Sequence, residues 1–564
     1  MNKIAVVGIS CIFPDALNIK EFNHNIMEKR ESIIDIPQNR WILNAQDVVA
    51  SDYRPDTACS TRAGVVNGFE FDPSDLLIHS DILLALDPLH KMVLHTGRQA
   101  LSQCWSNKDI RKRTGVVLAA IALPTAKSSE LAWQIIMEKK RAYSSPNGLS
   151  DLFNIKSKSN LDSITALDAL SAKMVSAPAS ILAQAAGLMG GSFTLDAACA
   201  SSLYAIKIAC EKLNSGKVDM MVAGGVSRPD SLYTQIGFTQ LRALSPSGRC
   251  SPFDKNADGL VVGEGAGIVV LKRLEDAVKC GDHIWGVITG AGWSNDIEGN
   301  LVAPASEGQV RAMKDAYKSA GWLPSDVQYI ECHGSGTPIG DSVELNSLAA
   351  LWQDAGLLEH YNRGVCAIGS IKSMIGHLLT AAGIAGFIKT LLAIDSKMLP
   401  PSLNFSEPPP GSPLHATPFY VQTKPEEWKP MPLNMGFGQN LSSNGNLLKN
   451  GNKNSSAARR AGISAFGFGG INAHILVEEF RKDRIQVQVP ISEENSIQRK
   501  PIAIIGMEVI TSAAMSLESF KNQLFRGGIE NRTNYDSSYE NQNFGKNSIK
   551  EPNGLWINDL IMHP

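Results

Sequence analysis

The segment Thr194-Leu195-Asp196-Ala197-Ala198-Cys199-Ala200-Ser201-Ser202-Leu203 joins two different patterns. A run of small and apolar residues, 190–198, stops at a cysteine, and a helix-like stretch, 201–213, follows at once. A cysteine at such a strand-to-helix corner presents its sulfur outward, beside the unpaired N–H groups of the first helical turn. The positive end of the helix dipole favours a thiolate, so an acidic, nucleophilic thiol is expected. Ala197, Ala198 and Ala200 leave room for a tight turn. An inert cysteine buried in the core is the other reading of the same residues, and this segment alone does not choose between them.

The rest of the chain bounds the choice. It has 564 residues, too many for one ordinary domain. A hydrophobic content of 43% with 19% charged residues describes a soluble globular protein. The net charge of -2 gives no electrostatic case for nucleic acid or an anionic membrane. Nine scattered cysteines with no C-x-x-C pair argue for free thiols in a reducing cytoplasm, against a disulfide framework and against a zinc site. The apolar N-terminal run is too short for a signal peptide. The longest apolar stretch, 378–394, is interrupted by Lys389, falls short of a membrane span and reads as a buried helix.

Short apolar runs that read as buried strands recur at 4–7, 115–119, 220–223, 267–271, 285–289, 365–368 and 473–477. Helical patterns lie between several of them, at 200–214, 307–319, 342–352 and 375–394. Such alternation predicts an α/β layered fold. Residues 440–456, rich in Asn, Ser, Gly and Lys, read as a mobile loop, and 481–499 as an interdomain linker. A repeat then appears: Ile4-Ala5-Val6-Val7-Gly8-Ile9 recurs as Ile502-Ala503-Ile504-Ile505-Gly506-Met507, and the same offset carries Phe22 onto Phe520 and Ile26 onto Leu524. Residues 500–564 therefore open a second copy of the first domain. This copy is too short to close a core, so it is expected to be poorly ordered, to lean on the first domain or to belong to a longer polypeptide.

Three further segments carry candidate chemistry. In Glu331-Cys332-His333-Gly334-Ser335-Gly336-Thr337-Pro338-Ile339-Gly340-Asp341-Ser342-Val343-Glu344, a strand delivers a histidine into a glycine-rich turn, where it is placed to face a cavity. In Gly369-Ser370-Ile371-Lys372-Ser373-Met374-Ile375-Gly376-His377, a lysine and a histidine sit at the start of a helix. Gly462-Ile463-Ser464-Ala465-Phe466-Gly467-Phe468-Gly469-Gly470-Ile471-Asn472-Ala473-His474 is a glycine-rich turn leading into a strand. Each has a plainer reading: a structural histidine, a solvated lysine, a simple hairpin. Residues 263–267 look like a phosphate loop but lead into a strand and lack the following Lys-Ser/Thr, so the nucleotide reading is set aside.

Taken together and in this order, the four segments resemble the β-ketoacyl synthases, the condensing enzymes of fatty-acid and polyketide synthases. The resemblance spans residues 3–479. Ser251-Pro252-Phe253-Asp254, Ala257-Asp258-Gly259 and Gly263-Glu264-Gly265 extend it, and residues 8–14 with Asn39-Arg40-Trp41 look like the modular polyketide synthase branch. A second synthase-like domain is similar to polyunsaturated fatty-acid synthases, in which a chain-length-factor-like partner follows the active domain.

The resemblance implies a thiolase-like α-β-α-β-α fold of two similar halves, with the cysteine on a central helix and both histidines from the second half. It implies that Cys199 takes an acyl group from a thioester and that the N–H groups of Cys199 and Phe468 hold the oxyanion. His333 and His377 would stabilise the enolate left when a malonyl-type extender loses its carboxylate. Lys372, with Glu344, would orient His333; Asp341 would fix the turn; Ser335 and Thr337 would bind the amides of a phosphopantetheine arm; Phe468 would gate access to Cys199; His474 would be structural. No metal or bound cofactor is implied. The partners implied are an acyl carrier protein, an acyltransferase in trans or elsewhere in a longer chain, and a second copy in a homodimer. Ala197 and Ala200 depart from the Thr and Ser of many relatives, and Ser335 from a Thr. A non-elongating chain-length-factor-like partner, a thiolase and a cysteine hydrolase are the alternatives. The intact Cys199, His333 and His377 speak against the first of these, and His377, standing where thiolases use a second cysteine, against the second.

Overall fold

A computed structural model of the chain describes residues 2–41, 43–51, 54–104, 107–125, 127–133, 136–137, 177–299, 303–358, 364–430, 458–484, 503–509 and 516–526. The loop expected at 440–456 lies outside the described residues, as does most of the linker at 481–499. The chain divides into two units, Met1–Arg484 and Ile485–Pro564.

The main sheet of the first unit contains β1 (Ile4–Ile12), β2 (Thr114–Ala119), β3 (Ser192–Leu195), β4 (Met220–Ser227), β5 (Gly265–Arg273), β6 (Gly286–Asn295), β7 (Tyr329–Glu331), β8 (Cys366–Gly369), β9 (Phe419–Val421), β10 (Arg460–Gly467) and β11 (Ile471–Glu478). Their spatial order is β9-β8-β7-β10-β11-β6-β1-β5-β4-β2-β3. The sheet is two copies of one pattern. From β1 outward, β5 and β4 join antiparallel, then β2 and β3 parallel. From β6 outward, β11 and β10 join antiparallel, then β7 and β8 parallel. Within the sheet, among the described residues, the halves meet where Ile4–Val6 pair with 286–288.

The main helices are α1 (Pro88–Ser102), α2 (Ala177–Ala186), α3 (Ser201–Asn214), α4 (Ser306–Ala320), α5 (Pro338–Asp354) and α6 (Ala382–Ser396). Helices α3 and α6 touch each other and strands of both halves, so they form a central layer. Helices α1 and α2 cover the outer face of the first half, and α4, with α5 against it, the outer face of the second. The α-β-α-β-α layering is thus present. A central helix is enclosed on all sides, and α6 is mostly apolar for that reason, with residues 382–394 buried. The segment Leu379–Ser396 is in fact long and apolar enough to cross a membrane, yet it is packed inside the protein.

One polar pair is sealed into this layer. Lys389 Nζ of α6 lies 2.8 Å from Glu331 Oε2, with side chains 0% and 2% exposed. The same carboxylate accepts the Tyr329 hydroxyl (2.5 Å) and the Ile371 N–H (2.7 Å), so both of its oxygens are paired.

The helix expected over 375–394 is broken. One turn, Lys372–Ile375, ends at Gly376 with φ 76, and α6 starts only at Ala382. Between them the His377 backbone bonds to another segment: its N–H donates to the Val261 carbonyl (2.7 Å) and its carbonyl accepts from Gly263 (2.9 Å). Those groups are not available to a continuous helix. Residues 263–267 feed β5, and Glu264 pairs with Arg40 and accepts the Val66 N–H, a structural use rather than a phosphate loop.

In the second unit, residues 503–509 carry no strand assignment and expose Ile504, Ile505 and Met507. A helix, Leu517–Arg526, begins at the residue matched by the repeat to Ile19, the first residue of the helix Ile19–Met27. Asn18 caps the first helix, and Ser516 accepts the Ser519 N–H (3.3 Å) at the matching place.

Candidate active site

Cys199 follows β3 and precedes α3, rather than lying on the helix. Ala198 holds a φ of 48, a left-handed conformation that strains any residue with a Cβ. The bend is pinned from both sides: the Ala197 N–H donates to Ser201 Oγ (2.7 Å), the Ser201 hydroxyl donates to the Ala198 carbonyl (2.5 Å), and the Ala198 N–H donates to Asp196 (3.0 Å). The turn carrying Phe468 packs directly on this corner. A Cβ on Gly467 would lie 2.9 Å from Ala198 Cβ and 3.0 Å from the Cys199 nitrogen. Only glycine permits the approach, and it brings the Phe468 N–H to the sulfur.

The acidic thiol expected from the corner geometry is corrected by its surroundings. Burial pushes the Cys199 thiol up to about 11; the Lys372 ammonium and the Phe468 and Cys199 N–H groups pull the other way but do not win. Cys199 is 7% exposed, in the wall of a cavity, and desolvation of a thiolate outweighs partial charges at a helix end.

That cavity, about 400 Å³, is shared by Cys199, His333 and His377. The two imidazole rings lie 5.4 Å apart, edge to face. Each ring accepts a backbone N–H at Nδ1, from Phe466 for His333 (3.3 Å) and from Leu379 for His377 (3.0 Å). In a neutral imidazole the proton then sits on Nε2, so both rings are hydrogen-bond donors at that atom. Neutrality is enforced by burial and the nearby Lys372 charge. These hold His377 at about 3 and His333 well below the ordinary imidazole value.

Lys372 and Glu344 hydrogen-bond to the His333 backbone, not to its ring. Lys372 Nζ donates to the His333 carbonyl (2.5 Å), and the Glu344 carboxylate accepts the N–H groups of His333 (2.7 Å) and Gly334 (2.8 Å). Asp341 accepts from Phe253 (2.8 Å) and Gly336 (3.2 Å), tying the turn to the neighbouring loop. Burial pushes both carboxyls up to about 7 against these donors. The hydroxyls of Ser335 and Thr337 bond to each other (2.9 Å) on the cavity wall. Phe468, 36% exposed, stands at the same wall, its ring 6.1 Å from Phe238. His474 is outside the cavity, bonded to Ser464 (3.0 Å) and stacked on Tyr317.

Comparison with known proteins gives the family of the chain. Residues 1–277 match the N-terminal domain, and 285–406 the C-terminal domain, of the beta-ketoacyl synthase family models. The ketosynthase from module 6 of the bacillaene synthase of Bacillus subtilis 168 superposes with a TM-score of 0.67 at 31% identity, covering 85% of this chain and 72% of that one.

The chain belongs to the β-ketoacyl synthase family.

A second ketosynthase structure, the PfaC keto synthase–chain length factor, gives a TM-score of 0.76 at 32% identity over 93% of this chain and 53% of that one. Among curated proteins, this β-ketoacyl synthase is 34% identical over 486 residues to a phenolphthiocerol/phthiocerol polyketide synthase of Mycobacterium tuberculosis (strain CDC 1551 / Oshkosh), 84% of this chain and 23% of that protein. It is 31% identical to the polyketide synthase PksL of Bacillus subtilis (strain 168), over 86% of this chain and 10% of that one. The chain thus spans about a quarter of the first of these relatives and a tenth of the second.

Several wall residues of this β-ketoacyl synthase carry no motif and were missed in the sequence: Leu241, Ala243, Leu260, Pro304 and Gln309. Gln309 alone left a signal. It falls on the buried stripe of α4 with Ala312, Met313 and Ala316, where an apolar residue is the norm.

Proposed function

We propose that this β-ketoacyl synthase performs decarboxylative condensation, with Cys199 as acyl acceptor and His333 and His377 as the enolate-stabilising pair. The observation that carries the reading is the cavity: one thiol and two imidazoles, each ring a donor at Nε2, line a single space. The Cys199 thiol attacks the acyl thioester, the Cys199 and Phe468 N–H groups hold the oxyanion, and the outgoing thiol of the arm leaves with the proton, so this exchange is proton-neutral. Neither ring offers a free lone pair to the cysteine, which fits that balance. A malonyl-type thioester then enters. Its carboxylate leaves as carbon dioxide, the Nε2–H groups receive the negative charge on the enolate oxygen, and the enolate carbon attacks the acyl carbonyl, expelling the Cys199 thiolate, which takes up a proton from solvent.

The substrate carrier in this reading is the phosphopantetheine arm of an acyl carrier protein, with Ser335 and Thr337 at its amides and an acyltransferase loading the extender. A homodimer is the proposed state: β3 is an edge strand of the sheet, with Ser192 and Phe193 exposed, a ready partner for a second β3. Residues 500–564 are proposed to open a chain-length-factor-like domain. The shared helix start supports this, as does the likeness to a structure named for both domains.

Intact-protein mass spectrometry tests the reading. Incubation with acyl thioesters on a carrier protein should add one acyl mass to the wild type and none to Cys199→Ala. An acyl adduct on the variant assigns the nucleophile elsewhere.

A further inference from the structure

Gln309 sits in the first turn of α4, 1% exposed, and its side chain forms part of the wall of the catalytic cavity. Its Oε1 has no hydrogen-bond partner. Among the described residues, it is the buried unpaired side-chain atom that belongs to a residue of that wall. An enclosed amide without a partner destabilises the resting protein, and folded proteins keep few of them. A ligand that fills the cavity would supply the missing partner.

The neighbours on the wall indicate which part of the ligand does so. Gln309 shares it with the Ser335–Thr337 hydroxyl pair, polar groups with no use for an alkyl chain. A hydrocarbon beside Gln309 would leave the amide as unpaired as before. A secondary amide presents one donor and one acceptor, and a carboxamide side chain can match either, because a half-turn exchanges its two ends.

We propose that Gln309 is a specificity-determining residue whose side-chain amide pairs with a secondary amide of the arm bearing the thioester. This rests on the condensing reading above. It makes the enzyme select its substrates by the tether as well as by the acyl group. A site built to pair a polar group discriminates against analogues that lack it.

The test compares Cys199 acylation by one short acyl group on three thiols: pantetheine with two amides, N-acetylcysteamine with one, and propanethiol with none. Rates are followed by intact mass for the wild type, Gln309→Leu and, should that fold poorly, Gln309→Met. The pantetheine thioester is expected to lose about 10-fold in kcat/KM, mostly through KM, while the propanethiol thioester stays within about twofold. A loss shared by N-acetylcysteamine places the contact at the amide nearer the sulfur, and its absence there at the farther amide; both support the proposal. The melting temperature should hold or rise, since an unpaired buried amide has been removed. Equal losses on all three thioesters, or none on pantetheine, overturn the proposal. Failure of the wild type to acylate Cys199 with any thioester overturns the condensing reading itself.

Discussion

At Cys199 a protonated thiol meets a site that lacks a free base, and this sets its pH dependence. With the thiol pushed up to about 11, the thiolate fraction at neutral pH is on the order of 10⁻⁴. Iodoacetamide labelling of Cys199 should therefore accelerate about tenfold per pH unit between roughly pH 7 and 9, read by peptide mass spectrometry. A plateau below about pH 8 would mean an acidic thiol after all. The histidines behave in the opposite sense. Both are neutral throughout the working range, so malonyl decarboxylation should show no inflection near the ordinary imidazole value. His333→Ala and His377→Ala should each slow it on the order of 10²–10³-fold, as measured by release of labelled carbon dioxide, because in the proposed reaction each removes one donor to the enolate oxygen. The residues themselves were legible in the sequence, but their protonation was not. A thiol or an imidazole titrates according to what surrounds it, and the Lys372 charge and the enclosing walls arrive from distant parts of the chain.

Between residues and fold stand two devices that hold the site. The β10–β11 turn reaches Cys199 only because Gly467 has no side chain. Gly467→Ala should displace the Phe468 N–H, slow Cys199 acylation on the order of 10²-fold and cost about 1–3 kcal/mol in urea unfolding. The second device is the Glu331–Lys389 pair, which ties the strand before His333 to the central helix and to the segment of Lys372. Lys389→Met leaves a buried carboxylate uncompensated and should cost about 3–5 kcal/mol, of which the double variant with Glu331→Gln should recover part. The glycine-rich turn was visible as a motif. The break before α6 was not: residues 375–394 read as one apolar helix. Only the pairing of the His377 backbone with Val261 and Gly263 shows why the helix stops.

Over the whole molecule, buried neutral histidines link stability to pH. His474 is held at about 3 by burial, below its unfolded value, so its contribution is present above about pH 6.5 and is lost as pH falls toward that lower value. The wild type should lose about 2 kcal/mol more than His474→Gln between roughly pH 7 and 5 in urea titrations. Asp341 and Glu344, pushed up to about 7, have the reverse sign: their contribution is present at low pH and falls as pH rises from about 4 to about 7, so the variant comparison is needed to isolate the histidine. The sequence by itself determined the alternation of strands and helices, the four motif segments and the register of the repeat, because each is local and follows from the period of apolar residues and from turn chemistry. The tertiary structure alone decided that Cys199, His333 and His377 share one cavity, that the thiol is protonated and both rings donate, and that Gln309 joins the wall unpaired. Each of these depends on desolvation and on partners far apart along the chain, which no local pattern encodes.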